Sequence, residues 1–203
     1  MKKIFILLIG IACFTTTYSQ KKDITLEEIW KENQFYPKSV RGFNSMNDGE
    51  HYSTMERVKD GQEIIKYKFK SGKKVRTLFK SADFEIPKVG RYTFSEDETQ
   101  LLLATETEKI YRHSSKSVFY IYNVFTDKLK KLSDDKVMYA TFSSQGDKVA
   151  YVMENNLFIQ NIRSGKVTQV TTDGKKNHII NGASDWVYEE EFALVRSFEW
   201  APD

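Results

Sequence analysis

An all-β chain is predicted: an incomplete β-propeller of four-stranded blades, about three blades and the start of a fourth, preceded by a signal peptide and a short helix. Two observations carry this expectation. Alternating apolar segments are joined in pairs by small or polar turn residues, the pattern of β-hairpins. These hairpins recur, two of them after a second shared unit, with a period of about 40 to 50 residues, as propeller blades do.

The first segment, residues 1–19, has the pattern of an export signal. Lys2 and Lys3 form a charged start, residues 4–14 an apolar run, and Thr17-Tyr18-Ser19 a site with small residues at the two positions a signal peptidase reads. An exported chain is therefore expected, periplasmic or secreted to the cell surface of a bacterium. Cys13, the one cysteine, lies inside this segment, so residues 20–203 have no thiol and must rely on their own core. The alternative is a lipid-modified Cys13, although Gly10 fits poorly where such sites want a branched aliphatic.

Residues 20–39 form the next segment. The spacing predicts one helix over residues 23–36, with Thr25 as cap and Glu28 as its capping-box partner. Leu26, Ile29 and Trp30 would share one face, and Pro37 would end the helix.

The propeller is expected over residues 40–203. Its hairpins are "KYKFKSGKKVRTLF", "IYNVFTDKLKKLS" and "IQNIRSGKVTQVT". Their turns align at Ser71-Gly72-Lys73, Thr126-Asp127-Lys128 and Ser164-Gly165-Lys166. Gly, or Asp, beside a small residue suits a tight turn because it tolerates positive φ. The preceding unit reads "YTFSEDETQLLLATE" in one blade and "YATFSSQGDKVAYVME" in the next, with Phe94-Ser95 matching Phe142-Ser143. "FNSMNDGEHYSTM" is a worn earlier copy, and "FEWAPD" opens a further one with Trp200 in place of Phe142. Three blades and one strand would leave an open edge. The front part of a longer protein, or a truncated gene, is therefore expected.

Two insertions interrupt the repeat. The second blade carries about ten extra residues within "TETEKIYRHSSK", between Ala104 and Ser117, and about twenty more follow the third hairpin. Insertions on a rigid scaffold usually become loops that carry function. These two hold the most unusual charged and aromatic residues in the chain, "YRHS" and "DWVYEEEF".

Composition excludes several classes. Lys and Arg number 31 against 28 Asp and Glu, for a net charge of +3, too small and too evenly spread for a nucleic-acid partner. Only 3 prolines among 14% aromatic residues argue against disorder. No G-x-S-x-G elbow is present, and His51, His113 and His178 are scattered without an H-E-x-x-H pair. No catalytic residue, metal site or cofactor is expected within these residues.

Glu189, Glu190 and Glu191 are the sharpest chemical signal. Converging carboxylates raise each other's pKa unless a cation sits between them, and an ammonium with three donors suits a carboxylate pair. If that ammonium is a peptide's amino terminus, the site measures distance from the chain end. A glutamate run is more often a solvated loop, and spacing alone favours that reading. Arg112 could fix a substrate carbonyl or hold one of the glutamates; an ordinary surface arginine is the commoner case. Tyr111, Trp186, Tyr188 and Phe192 could wall an apolar pocket, though such aromatics more often pack a core.

"NGASDWVYEEEF" closely resembles the glutamate motif of the dipeptidyl peptidase IV family of serine peptidases, and "YRHS" followed by "VFYIYNV" resembles its arginine segment. The order of segments is similar to bacterial members over nearly all of residues 20–203. The resemblance implies an eight-bladed propeller followed by an α/β-hydrolase domain that would be its partner. It implies release of Xaa-Pro or Xaa-Ala dipeptides from peptides with a free amino terminus. By the same resemblance, Glu190 and Glu191 hold the substrate α-ammonium, Arg112 contacts the carbonyl oxygen of its second residue, and Phe192 lines the pocket. Some members have a residue between the last glutamate and that aromatic, and here there is none. Homodimers are common in the family. The family's catalytic Ser, Asp and His belong to the hydrolase domain, outside these residues. A non-catalytic propeller that binds peptides or partners is the alternative.

Overall fold

The computed structural model describes residues 22–37 and 42–202. The predicted signal segment and its cleavage site lie outside the described residues. Two units divide between Arg41 and Gly42. Among the described residues no helix is long and apolar enough to cross a membrane.

In the first unit the capping box forms. Glu28 N donates to Thr25 Oγ1 at 3.2 Å and Thr25 N to Glu28 Oε2 at 3.1 Å. The helix over residues 23–36 does not. A single π-helical turn spans Glu27–Lys31, closed by Glu32 N on Glu27 O. Asn33, at φ 51°, takes the left-handed conformation that stops helical propagation, four residues before Pro37.

The second unit is the incomplete propeller. Its twelve strands are β1 (Phe43–Ser45), β2 (His51–Val58), β3 (Gly61–Lys68), β4 (Lys74–Lys80), β5 (Val89–Phe94), β6 (Gln100–Lys109), β7 (Ser115–Asn123), β8 (Lys128–Lys131), β9 (Met138–Phe142), β10 (Lys148–Met153), β11 (Asn156–Asn161) and β12 (Val167–Gln169). They form three four-stranded antiparallel meanders: β1 to β4, β5 to β8 and β9 to β12. The three aligned turns are the third connection of each sheet. Gly72, Asp127 and Gly165 all have positive φ, at 62°, 53° and 71°, and each donates its N–H to the carbonyl four residues back. The expected repeat is thus a repeat of backbone geometry.

The second sheet buries both of its faces. The "LLLA" run of β6 alternates: Leu101 and Leu103 join Ile64, Phe79, Val89 and Tyr122 against the first sheet. Leu102 and Ala104 join Phe119, Ile121, Val137 and Val149 against the third. A central strand covered on both sides reads as a continuous apolar run, because both sets of side chains leave water. Polar links tie successive first turns together. Asn47 Nδ2 reaches Glu96 O at 2.6 Å, Gln100 Nε2 reaches Gly146 O at 2.7 Å, and Ser144 Oγ reaches Ala201 O at 2.7 Å.

Strand parity decides where the insertions emerge. In a meander the first and third turns share one end, while the second turn and the chain exit share the other. The first insertion is the second turn of its blade, and the second insertion follows the exit of the next blade. Both leave the propeller at the same end.

Candidate functional site

The first insertion is mostly strand rather than loop. β6 and β7 continue past the blade, and only residues 110–114 form a tip, closed by Ile110 N on Ser114 O at 3.0 Å. A bulge marks the departure: the register shifts between Thr105 and Glu108, and Glu106 has φ 49°. Beyond it, alternating charges support the arm. Lys116 and Lys136 pair with Glu108 at 3.1 and 3.3 Å, and they hold its carboxyl below the usual range.

The second insertion also differs from a plain loop. Residues Trp186–Phe192 form helix α1, capped by Asp185, whose side chain accepts from Tyr188 N at 3.1 Å. It ends at Ala193, left-handed at φ 54°, with Leu194 N bonded to Tyr188 O. The flanking segments pair with each other. Ser184 N donates to Val195 O and Ser197 N to Gly182 O, both at 3.1 Å. The helix is therefore the closed end of a braced loop.

That loop covers the outer face of the third sheet, where Ala150 and Val152 are buried. Gly182 permits the contact. It has φ 77°, and a Cβ there would stand 2.7 Å from Val152 Cγ2 and 3.4 Å from Phe198 Cδ1. Gly182→Ala combines a left-handed alanine with an overpacked contact and is expected to cost about 2 to 4 kcal/mol, read from urea unfolding. A change below about 0.5 kcal/mol would show that the loop is not seated by this contact.

The helix solves the repulsion among three adjacent carboxylates by fanning them about 100° apart. Glu189 turns inward and is only 2% exposed. Its Oε1 accepts the backbone N–H groups of His113 at 2.8 Å and Ser114 at 2.9 Å. Burial opposes its charge, but the nearby Ser114 hydroxyl and these two backbone N–H groups outweigh burial and hold its carboxyl below the usual glutamate range. Tyr139, at the start of β9, is pushed up to about 12 by its own burial and by the Glu189 charge. Glu190 is half-buried, and its Oε2 lies 3.2 Å from Arg112 Nε. Glu191 is exposed and has no hydrogen bond or ion pair among the described residues. The Arg112 side chain is 69% exposed and pairs through Nε, and its two terminal nitrogens have no partner among the described residues.

The structure thus brings Arg112 to Glu190 across 78 residues of chain, with Glu191 next in sequence on the same short helix. The arrangement offers one unneutralised carboxylate, a second shared with a guanidinium, and free guanidinium donors beside them. It suits a ligand that carries an ammonium and, a few ångströms away, a carbonyl oxygen. The expectation for the aromatic residues is not met as an enclosed wall. Tyr111, Trp186, Tyr188 and Phe192 are all exposed, and only Tyr188 and Phe192 pair, with ring centroids 5.9 Å apart. The three on α1 sit outward because the helix turns Glu189, not an aromatic, into the protein.

A cavity of about 780 Å³ opens beside this site, lined by Phe94, Thr141, Leu194, Arg196 and Trp200, but not by Arg112 or the glutamates. Among the described residues no group of three His, Cys, Asp or Glu side chains could hold a metal ion. Sequence reasoning named Glu189 only as one of three like carboxylates, and it missed Tyr139 and Gly182. Their roles rest on contacts across 30 to 76 residues, and only the position of Glu189 within a glutamate run could have hinted at one of them.

Comparison with known proteins gives the following. Residues 95–203, more than half of the chain, match the model of the dipeptidyl peptidase IV (DPP IV) N-terminal region. The crystal structure of Porphyromonas gingivalis dipeptidyl peptidase 4 superposes with a TM-score of 0.73 at 41% identity, over 87% of this chain and 26% of that one. A probable dipeptidyl-aminopeptidase B of Neurospora crassa is 28% identical over 92% of this chain and 22% of its own length. Inactive dipeptidyl peptidase 10 of Mus musculus is 31% identical over 62% of this chain and 17% of its own length. The chain therefore spans about a quarter or less of these relatives.

Proposed function

Because the chain belongs to the dipeptidyl peptidase IV family, through its match to the N-terminal region of that family, we propose that it anchors peptide substrates by their amino termini. In this reading Glu190 and Glu191 take the α-ammonium, and Arg112 takes the carbonyl oxygen of the second residue. Phe192 borders the first side chains. The observation that supports it most is the division of labour on α1. Glu189 is consumed by backbone N–H groups, Glu190 pairs with Arg112, and Glu191 is left exposed without a partner among the described residues.

Cleavage would be the work of an α/β-hydrolase domain acting with this region, with the bond broken after Xaa-Pro or Xaa-Ala. The part played here is binding and registration: fixing the amino terminus sets which peptide bond reaches the nucleophile. The charged start and apolar run of residues 1–19 support export of such a peptidase to the periplasm or cell surface.

The test is a titration of the chain with a Gly-Pro peptide and with its N-acetylated form. Acetylation removes the ammonium and is expected to weaken binding at least about 10-fold, the worth of a charge-assisted contact. Equal affinity for both forms would overturn the assignment.

The relative named as inactive favours one second reading, a binding propeller without catalysis. Release of p-nitroaniline from Gly-Pro-p-nitroanilide by the intact gene product separates the two. Binding of free amino termini without release would support the non-catalytic reading.

A further inference from the structure

We infer that Glu189 is a positioning residue for this site, an inference that rests on the amino-terminus reading above. It sets where Arg112 stands relative to Glu190 and Glu191 and does not itself contact the ligand.

Two adjacent residues of α1 hold two different parts of one tip. Glu189 holds its backbone, through His113 N and Ser114 N. Glu190 holds its side chain, through Arg112 Nε. The two anchored amides immediately follow Arg112 in sequence, so its Cα can shift little while both bonds are made. Few other contacts hold the tip: Ile110, Tyr111, Arg112 and His113 are exposed, and the Glu108 ion pairs lie further down the arm. An arginine side chain has many rotamers to lose, and a frayed tip would add backbone freedom to them.

Glu189 is also out of a ligand's reach. At 2% exposure its carboxylate is closed off by the tip. Ser114 Oγ is buried beside the Glu189 carboxylate and helps hold its pKa down, although it makes no hydrogen bond of ordinary geometry. A carboxamide in place of the Glu189 carboxylate would keep an oxygen for the amides and place an N–H group where the Ser114 hydroxyl oxygen can accept it.

Reach and charge can be separated with two variants. Glu189→Gln keeps the reach and drops the charge, whereas Glu189→Asp keeps the charge and is one methylene shorter. Two quantities are read in the same chain: hydrogen exchange at the His113 and Ser114 amides, and affinity for a Gly-Pro peptide. Exchange at Leu101, Leu102 and Leu103 serves as the control for folding. A positioning role predicts that Asp speeds exchange of the two amides at least about 10-fold and weakens peptide binding about 10-fold. Gln is expected to stay within about 3-fold of the parent in both, with unchanged exchange in β6. The inference is overturned if exchange at His113 and Ser114 does not change in the Asp variant. It is also overturned if Gln weakens binding more than Asp, because charge rather than reach would then matter. The amino-terminus reading fails separately, through equal binding of acetylated and free peptide, whatever the exchange shows.

Discussion

If the proposed anchoring holds, replacing Glu190 or Glu191 with Gln in a dipeptidyl peptidase that carries this region is expected to lower kcat/KM at least about 100-fold, since a lost charge-assisted contact to an ammonium is worth about 2 to 4 kcal/mol. The two variants should differ in kind. Glu191 has no partner among the described residues, so Glu191→Gln removes ligand charge and nothing else. Glu190 also receives Arg112, so Glu190→Gln removes ligand charge and loosens the arginine. A double-mutant cycle reads this difference. Glu190→Gln and Arg112→Ala should be clearly less than additive, while Glu191→Gln and Arg112→Ala should come closer to additivity. Neither single change touches the core, so unfolding free energies should stay within about 0.5 kcal/mol of the parent. Unchanged kinetics in both variants would sink the anchoring assignment.

Phe79→Ala is expected to destabilise the propeller by about 3 to 5 kcal/mol, the cost of emptying a buried aromatic site. Phe79 is 2% exposed and lies between the first and second sheets. Its ring stacks on Phe84 at 5.8 Å and meets Tyr122 edge-on at 5.0 Å, contacts that carry energy beyond area alone. Total stabilities of about 5 to 15 kcal/mol make such a loss a large fraction of the whole. The effect should also be local in origin, because each blade packs only on its neighbours. Urea unfolding followed at two probes, one in the first sheet and one in the third, should show the first sheet melting earlier. A loss below about 1 kcal/mol would mean that the first sheet is held mainly by something other than this cluster.

The blades were legible because their determinants are local. Gly72, Asp127 and Gly165 mark turns that need positive φ, and each sits within four residues of the carbonyl it bonds. Alternation around them assigns the faces, and the uninterrupted "LLLA" of β6 marks a strand covered on both sides. The same locality misled at residues 23–36. The capping box formed as read, but a cap states where a helix starts and not how far it runs, and Asn33 ended it within about two turns. Helix α1 was not foreseen. Its "WVYEEEF" is too short for a helical period to show, and its first three residues favour a strand by propensity.

Of the site, residue types and their placement in two insertions were legible, and strand parity, readable in principle from the repeat, brings both insertions to one end of the sheets. Their division of labour was not. Three neighbouring glutamates are chemically identical in the sequence, and only the tertiary structure gives Glu189 to the amides of His113 and Ser114, Glu190 to Arg112, and Glu191 to solvent. By itself the sequence determined the blades, their turns, the apolar faces and the residue types gathered in the insertions, because those depend on the backbone preferences and spacing of near neighbours. The fold decided which carboxylate is buried, which is paired and which is free. Those fates depend on groups more than 70 residues away and on the rotation of one short helix, which no local pattern encodes.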